Sequence, residues 1–179
     1  MSAKEQILLH TCCGPCATTC VERLLPDREV VLFFSNSNIA PEAEYLKRLE
    51  HAGKLAGLLN IALREDTYDH QAWLAHVKGL EDEPEGGRRC EKCFAFSLAK
   101  TAAMAKALGI PAFTTSLSVS RYKSSPVIFS VGKAFETFLP MDFKKRDGYA
   151  RSIELSRQYG LYRQNYCGCE FSRQSGNRS

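Results

Sequence analysis

Two hydrophobic rhythms divide this chain: short unbroken apolar runs, and longer stretches with apolar residues every three or four positions. Residues 6–10 (QILLH) and 29–35 (EVVLFFS) are runs of the first kind. Such runs fit strands buried on both faces. Residues 60–64 form a weaker strand candidate and 111–116 a fourth. Helical spacing covers 17–25, 41–59, 70–80, 90–108, 126–135 and 148–159. Pro15 suits a first helical turn, and Gly109 suits a helix C-cap. The polar stretch 81–87 (EDEPEGG) breaks the pattern and reads as a mobile loop, and the polar tail from about 173 reads as frayed. Strands alternating with helices predict a single-domain α/β fold, a Rossmann-like parallel sheet flanked by helices. In such sheets ligands gather beyond the carboxyl ends of the strands. Cys12 and Cys13 directly follow the first strand, Asn36 and Asn38 the second, and Thr114–Ser116 close the fourth. A metal site at the carboxyl edge of the strands is therefore expected.

Length and composition narrow the class. At 179 residues one domain is expected, spanning 1–179, and 44% hydrophobic with 25% charged residues is ordinary for a globular protein. No apolar run approaches the ~20 residues that a membrane helix needs. The N-terminus lacks a long apolar core and a cleavage signature, which predicts a cytoplasmic protein with no membrane partner. The net charge of +4 permits a nucleic-acid partner without requiring one.

Eight cysteines change the picture. In a reducing compartment, clustered thiols point to metal ligation or redox work rather than to a disulfide framework. They fall into three groups: Cys12, Cys13, Cys16 and Cys20; Cys90 and Cys93; Cys167 and Cys169. Cys90 and Cys93 are one helical turn apart, so both sulfurs can face one metal. Cys12 and Cys13 sit on a strand-to-helix turn, where neighbouring side chains can share a site. Four thiolates, two from each segment, would suit a tetrahedral zinc or an iron–sulfur cluster. Cys167-Gly168-Cys169 could close a small, readily reduced disulfide or ligate a metal. Cys20 reads as a small hydrophobe within its helix. A rival reading takes Cys13-Gly14-Pro15-Cys16 as a thioredoxin-like dithiol, which leaves Cys12, Cys90, Cys93, Cys167 and Cys169 without a role.

Other segments carry weaker signals. The hydroxyl-rich run Thr114 to Lys123 could position phosphates and sugars. Asp142, followed by Lys144, Lys145 and Arg146, could serve as metal ligand, proton donor or surface ion-pair partner. Arg88, Arg89, Arg151 and Arg163 could track an RNA backbone. His10, beside the thiol loop, reads as structural.

Taken in order, these pieces resemble the cobalamin-independent epoxyqueuosine reductase family, the QueH type. The matching residues are His10-x-Cys12-Cys13-x-Pro15-Cys16; Asn36-x-Asn38-Ile39-x-Pro41 with Glu44-Tyr45; and Arg89-Cys90-x-x-Cys93. They continue through Thr114-Thr115, Ser120, Lys123, Asp142-Phe143-Lys144-Lys145 and Gly148-Tyr149, and end on Leu161-Tyr162-Arg163-Gln164-x-Tyr166-Cys167-Gly168-Cys169. Gly14 stands where alanine is common in the family, Ser37 and Arg121 where proline is, and Phe94 where tyrosine is. None of these removes a proposed ligand.

The resemblance implies reduction of epoxyqueuosine to queuosine at the wobble position of tRNA, with an electron donor that the sequence does not identify. It implies a [4Fe–4S] cluster on Cys12, Cys13, Cys90 and Cys93, and a redox-active pair at Cys167 and Cys169. It also implies an additional mononuclear iron or zinc ion, with Cys16, Asp142 and the terminal pair as candidate ligands. Asp142 is then the expected proton donor to the departing oxygen. The competing functions are a thioredoxin-like dithiol oxidoreductase and a zinc-stabilised RNA-binding module. ATP-dependent tRNA thiolation has no visible site, because no pyrophosphate loop follows the first strand.

Overall fold

A computed structural model describes residues 3–173. Its centre is a four-stranded, fully parallel sheet in the order β3-β2-β1-β4, formed by β1 (Glu5–His10), β2 (Arg28–Phe34), β3 (Ala62–Glu65) and β4 (Phe113–Thr115). The helices are α1 (Gly14–Leu24), α2 (Glu42–Leu59), α3 (His70–His76), α4 (Arg88–Leu108), α5 (Ser125–Gly132), α6 (Gly148–Gln158) and the single turn α7 (Glu170–Arg173). A 3₁₀ turn, Ser116–Val119, follows β4 directly.

The two-residue side-chain period explains why β1 and β2 are continuous apolar runs. Ile7, Leu9, Val30 and Leu32 face Ala17, Cys20, Val21 and Leu24 of α1 in one core. Leu8, Val31 and Phe33 face the other way, against Phe94 and Leu98 of α4 and Ile128 of α5. Cys20 is fully buried in the first of these cores, as expected. β3 carries the weaker pattern because it is an edge strand with one half-buried residue and three exposed ones.

Boundaries shift where caps decide them. Asn60 is the left-handed C-cap of α2, so β3 starts two residues later than the apolar run suggests. α3 stops at His76, short of the expected residue 80, with Gly79 at positive φ beyond it. Two proposed loop readings need correction. The breaker 81–87 is folded around Arg89, whose buried guanidinium donates to the carbonyls of Leu80, Glu81 and Glu83. Thr114, Thr115, Ser116 and Ser118 are fully buried. Their hydroxyls serve Leu139 O, His10, Cys12 and Met141 O, so they are not available to phosphates. Arg173 closes α7, and the rest of the tail expected to fray, residues 174–179, lies outside the described residues. Among the described residues no helix is long and apolar enough to cross a membrane.

The chain passes from β1 to β2 to β3 on one side of the sheet and returns to β4 on the other. The strand order therefore reverses at β1, and the crevice beyond the β1 and β4 carboxyl ends is where such sheets bind ligands.

Candidate metal and redox site

The first thiol group grows out of that crevice. Cys13 is the N-cap of α1: its sulfur accepts the backbone N–H of Cys16 at 3.4 Å, and Pro15 takes a first-turn position where no amide donor is needed. Cys12 is anchored across the crevice, its amide donating to Ser116 Oγ at 3.0 Å and its sulfur accepting from the same hydroxyl at 3.2 Å. The sulfurs of Cys12, Cys13 and Cys16 all lie within 4.8 Å of one another. The Cys12 and Cys16 thiols donate to Cys13, which holds the Cys13 pKa well below the ordinary thiol value. Donating to Cys13 pushes Cys12 up to about 12, and donating to Cys12 and Cys13 holds Cys16 well above its ordinary value. One negative charge is thus shared by three sulfurs at a helix N-terminus, an arrangement that favours thiolate and soft-metal binding.

The terminal pair is built separately. Arg48, buried in α2 and paired with Glu44 at 2.7 Å, donates to Cys167 O at 2.9 Å and Tyr166 O at 3.3 Å. Ala40 N donates to Gly168 O at 2.9 Å, and Tyr166 Oη to Ala40 O at 2.8 Å. Gly168 has φ +125°, and a Cβ there would stand 2.9 Å from Ile39 Cγ1 and 3.1 Å from Arg48 Nη1. Only glycine fits between the two cysteines. Their sulfurs are 3.8 Å apart, and all eight cysteines are free thiols. The Cys169 thiol donates to Cys167, and the Lys123 charge and Ser172 Oγ, 3.0 Å away, add to the effect. Cys167 is therefore the thiolate of the pair, and Cys169 is pushed far up.

Cys90 and Cys93 open α4. Burial raises both thiols, Cys93 to about 12. Cys90 accepts the Gly86 amide at 3.2 Å.

Two cavities connect these groups. One, of about 60 Å³, is lined by Cys90, Cys93, Cys167 and Cys169 together with Trp73 and Lys123. The other, of about 180 Å³, is lined by Cys12, Cys16 and Cys167 with Lys123, Arg163 and Gln164. Cys167 and Lys123 belong to both. Burial disfavours the Lys123 ammonium, but the charges of Cys167, Cys12, Cys16 and Cys90 outweigh that and raise its pKa. In the first cavity the buried indole N–H of Trp73 faces the Cys93 sulfur and favours its thiolate. A buried donor beside clustered thiols fits a thiolate-bound metal or cluster.

Among the other expected site residues, Asp142 lines neither cysteine cavity. Its carboxylate accepts from Ser125 Oγ at 3.0 Å and from the Lys144 amide at 3.1 Å, at the start of α5. His10 is structural as expected: Nδ1 meets Thr115 Oγ1 at 2.9 Å, Nε2 meets Ser35 O at 3.1 Å, and burial lowers its pKa to about 4. Of the proposed RNA-tracking arginines, Arg88 pairs with Glu83 and Arg151 with Glu22 and Glu154, while Arg89 is internal. Arg163 lines the larger cysteine-lined cavity and Arg89 the smaller one. Sequence reasoning assigned no role to Arg48, Trp73 or Gln164. The single tryptophan of the chain was the one compositional hint.

Comparison with known proteins gives the family. The family model for Epoxyqueuosine reductase QueH matches residues 7–175. The Epoxyqueuosine reductase QueH of Streptococcus pyogenes serotype M1 is 40% identical over 182 residues, covering 96% of this chain and 71% of that protein. Its namesake from Thermotoga maritima is 37% identical over 174 residues, covering 93% and 89%. That of Haemophilus influenzae is 36% identical over 181 residues, covering 97% and 74%.

Proposed function

Since the chain belongs to the epoxyqueuosine reductase QueH family, we propose that it reduces epoxyqueuosine in tRNA through an iron–sulfur cluster on Cys12, Cys13, Cys90 and Cys93. The protein is an oxidoreductase of queuosine formation, and its substrate is tRNA. We place it with that substrate in the cytoplasm. The cluster, when bound, supplies electrons singly to the site.

The observation that carries this reading is the sharing of Cys167 and Lys123 by two cavities, one lined by Cys90 and Cys93 and the other by Cys12 and Cys16. Converting an epoxide to an alkene consumes two electrons and two protons and releases water. Oxidation of the Cys167 thiolate and the Cys169 thiol to a disulfide releases the two electrons and one of the protons, and the Lys123 ammonium supplies the other. The 3.8 Å approach of the two sulfurs makes this pair the local store for one turnover. An external donor, of a kind still to be identified, must then reduce it again. Lys123 Nζ carries a proton between the two cavities and is the group best placed to hydrogen-bond the departing oxygen. Asp142, whose carboxylate accepts from Ser125 Oγ at the start of α5, is the second candidate acid. Cys16, within reach of Cys12 and Cys13, is the reserve ligand for a further mononuclear iron or zinc ion.

The test is anaerobic. Protein reconstituted with iron and sulfide is reduced and incubated with tRNA carrying epoxyqueuosine, and the digested nucleosides are weighed by mass spectrometry. Loss of one oxygen, dependent on iron and sulfide, is expected. No conversion in a fully loaded sample would refute the substrate assignment.

A further inference from the structure

Two residues that line the 180 Å³ cavity each bury a polar atom that no protein group satisfies: Nη1 of Arg163 and Oε1 of Gln164. These atoms sit on consecutive residues. One can only donate a hydrogen bond, and the other can only accept. Unpaired buried atoms of this kind are expensive, and native structures hold few. The segment bearing them is fixed. Tyr162 N donates to His51 Nδ1 at 3.1 Å, Tyr166 is tied to Ala40, and the Arg163 guanidinium lies 5.6 Å from the Tyr149 ring centroid. The amide of Gln164 hydrogen-bonds the Cys13 sulfur, which fixes its carbonyl oxygen on the other side.

We propose that Arg163 and Gln164 read the Watson–Crick edge of the target 7-deazaguanine: Arg163 Nη1 donates to O6, and Gln164 Oε1 accepts from N1–H. This rests on the reductase reading above. A guanine-type edge presents an acceptor beside a donor, the complement of this pair. An adenine edge entering the same way up presents the reverse order and would oppose both atoms. A phosphate, which only accepts, would satisfy Arg163 but repel the Gln164 carbonyl. Unstacked bases of single-stranded loops are commonly read on this edge, with arginine and aromatic planes beside them. The substituent that carries the epoxide leaves the ring at C7, away from this edge, and stays free to react.

The measurement is fluorescence anisotropy, with reconstituted protein held without oxygen. The ligands are three anticodon stem–loops that differ only at the wobble base: guanosine, inosine and adenosine. None carries the queuosine substituent. Guanosine and inosine share O6 and N1–H, so wild-type protein should bind both alike and at least about tenfold more tightly than adenosine. Gln164→Leu and Arg163→Met should each narrow the gap between guanosine and adenosine to within about threefold. Equal wild-type affinity for guanosine and adenosine overturns the proposal without any variant having to fold. A wild-type preference that survives in both folded variants overturns it as well. Base discrimination in a protein that fails to convert epoxyqueuosine would support this inference while removing the reductase reading. Conversion without discrimination would do the opposite.

Discussion

Gly168→Ala tests how the redox pair is held. The backbone at this position has φ +125°, a region open to glycine and costing other residues about 1–3 kcal/mol. The added methyl also meets Ile39 Cγ1 at 2.9 Å and Arg48 Nη1 at 3.1 Å. Neither neighbour can withdraw cheaply: Ile39 is buried, and Arg48 is held by Glu44 and by the carbonyls of Tyr166 and Cys167. Overpacking of this kind costs a further ~1–3 kcal/mol. The sum is about 2–6 kcal/mol. With a urea slope of about 2 kcal/mol/M, the unfolding midpoint of the reduced apoprotein should fall by about 1–3 M. Equilibrium unfolding followed by far-UV circular dichroism reads this directly. A loss below about 0.5 kcal/mol, the range of an unremarkable surface substitution, would show that the Cys167–Cys169 segment is not held as described.

Three further outcomes follow from the same geometry. Arg48→Met removes one partner of a buried ion pair and two carbonyl contacts, and should destabilise the apoprotein by about 3–5 kcal/mol in urea unfolding. His10 has a folded pKa of about 4, below its unfolded value, so the unfolded state binds more protons between those two values. The neutral ring's full contribution is therefore present above about pH 6.5 and is lost as pH falls toward 4, by roughly 3 kcal/mol. Unfolding curves of wild type and His10→Gln at pH 7.5 and pH 5 should show the steeper loss in wild type, and parallel losses would contradict the assignment. Turnover on epoxyqueuosine tRNA should weaken as salt rises, because phosphate contacts release counterions. A flat salt profile of kcat/KM would count against direct tRNA docking.

The sequence carried the sheet well because β1 and β2 are buried on both faces, and a doubly buried strand has a distinctive apolar run. β3 was displaced because an edge strand with one half-buried residue has little pattern to read. The thiol groups were legible as groups from their spacing. Their mutual placement was not, since Cys167 reaches both cavities only through long-range contacts from Arg48 and the turn after β2. Residue type misled where polar side chains turn inward. Thr114–Ser118 looked like a solvent-facing phosphate loop and is internal scaffolding, and Arg89 looked like an RNA contact and is the post around which 81–87 folds. Asp142 gave no sign in sequence that Ser125 would claim its carboxylate.

The central claim is that the sulfurs of Cys12, Cys13, Cys90 and Cys93 hold one cluster. Iron and acid-labile sulfide should be measured per chain after anaerobic reconstitution, with visible absorbance, in wild type, Cys90→Ala and Cys20→Ala. About four irons and four sulfides are predicted in wild type and in Cys20→Ala, whose sulfur only packs the core, with loss of both in Cys90→Ala. Stoichiometric zinc without sulfide in wild type, or an intact cluster in Cys90→Ala, would contradict the account.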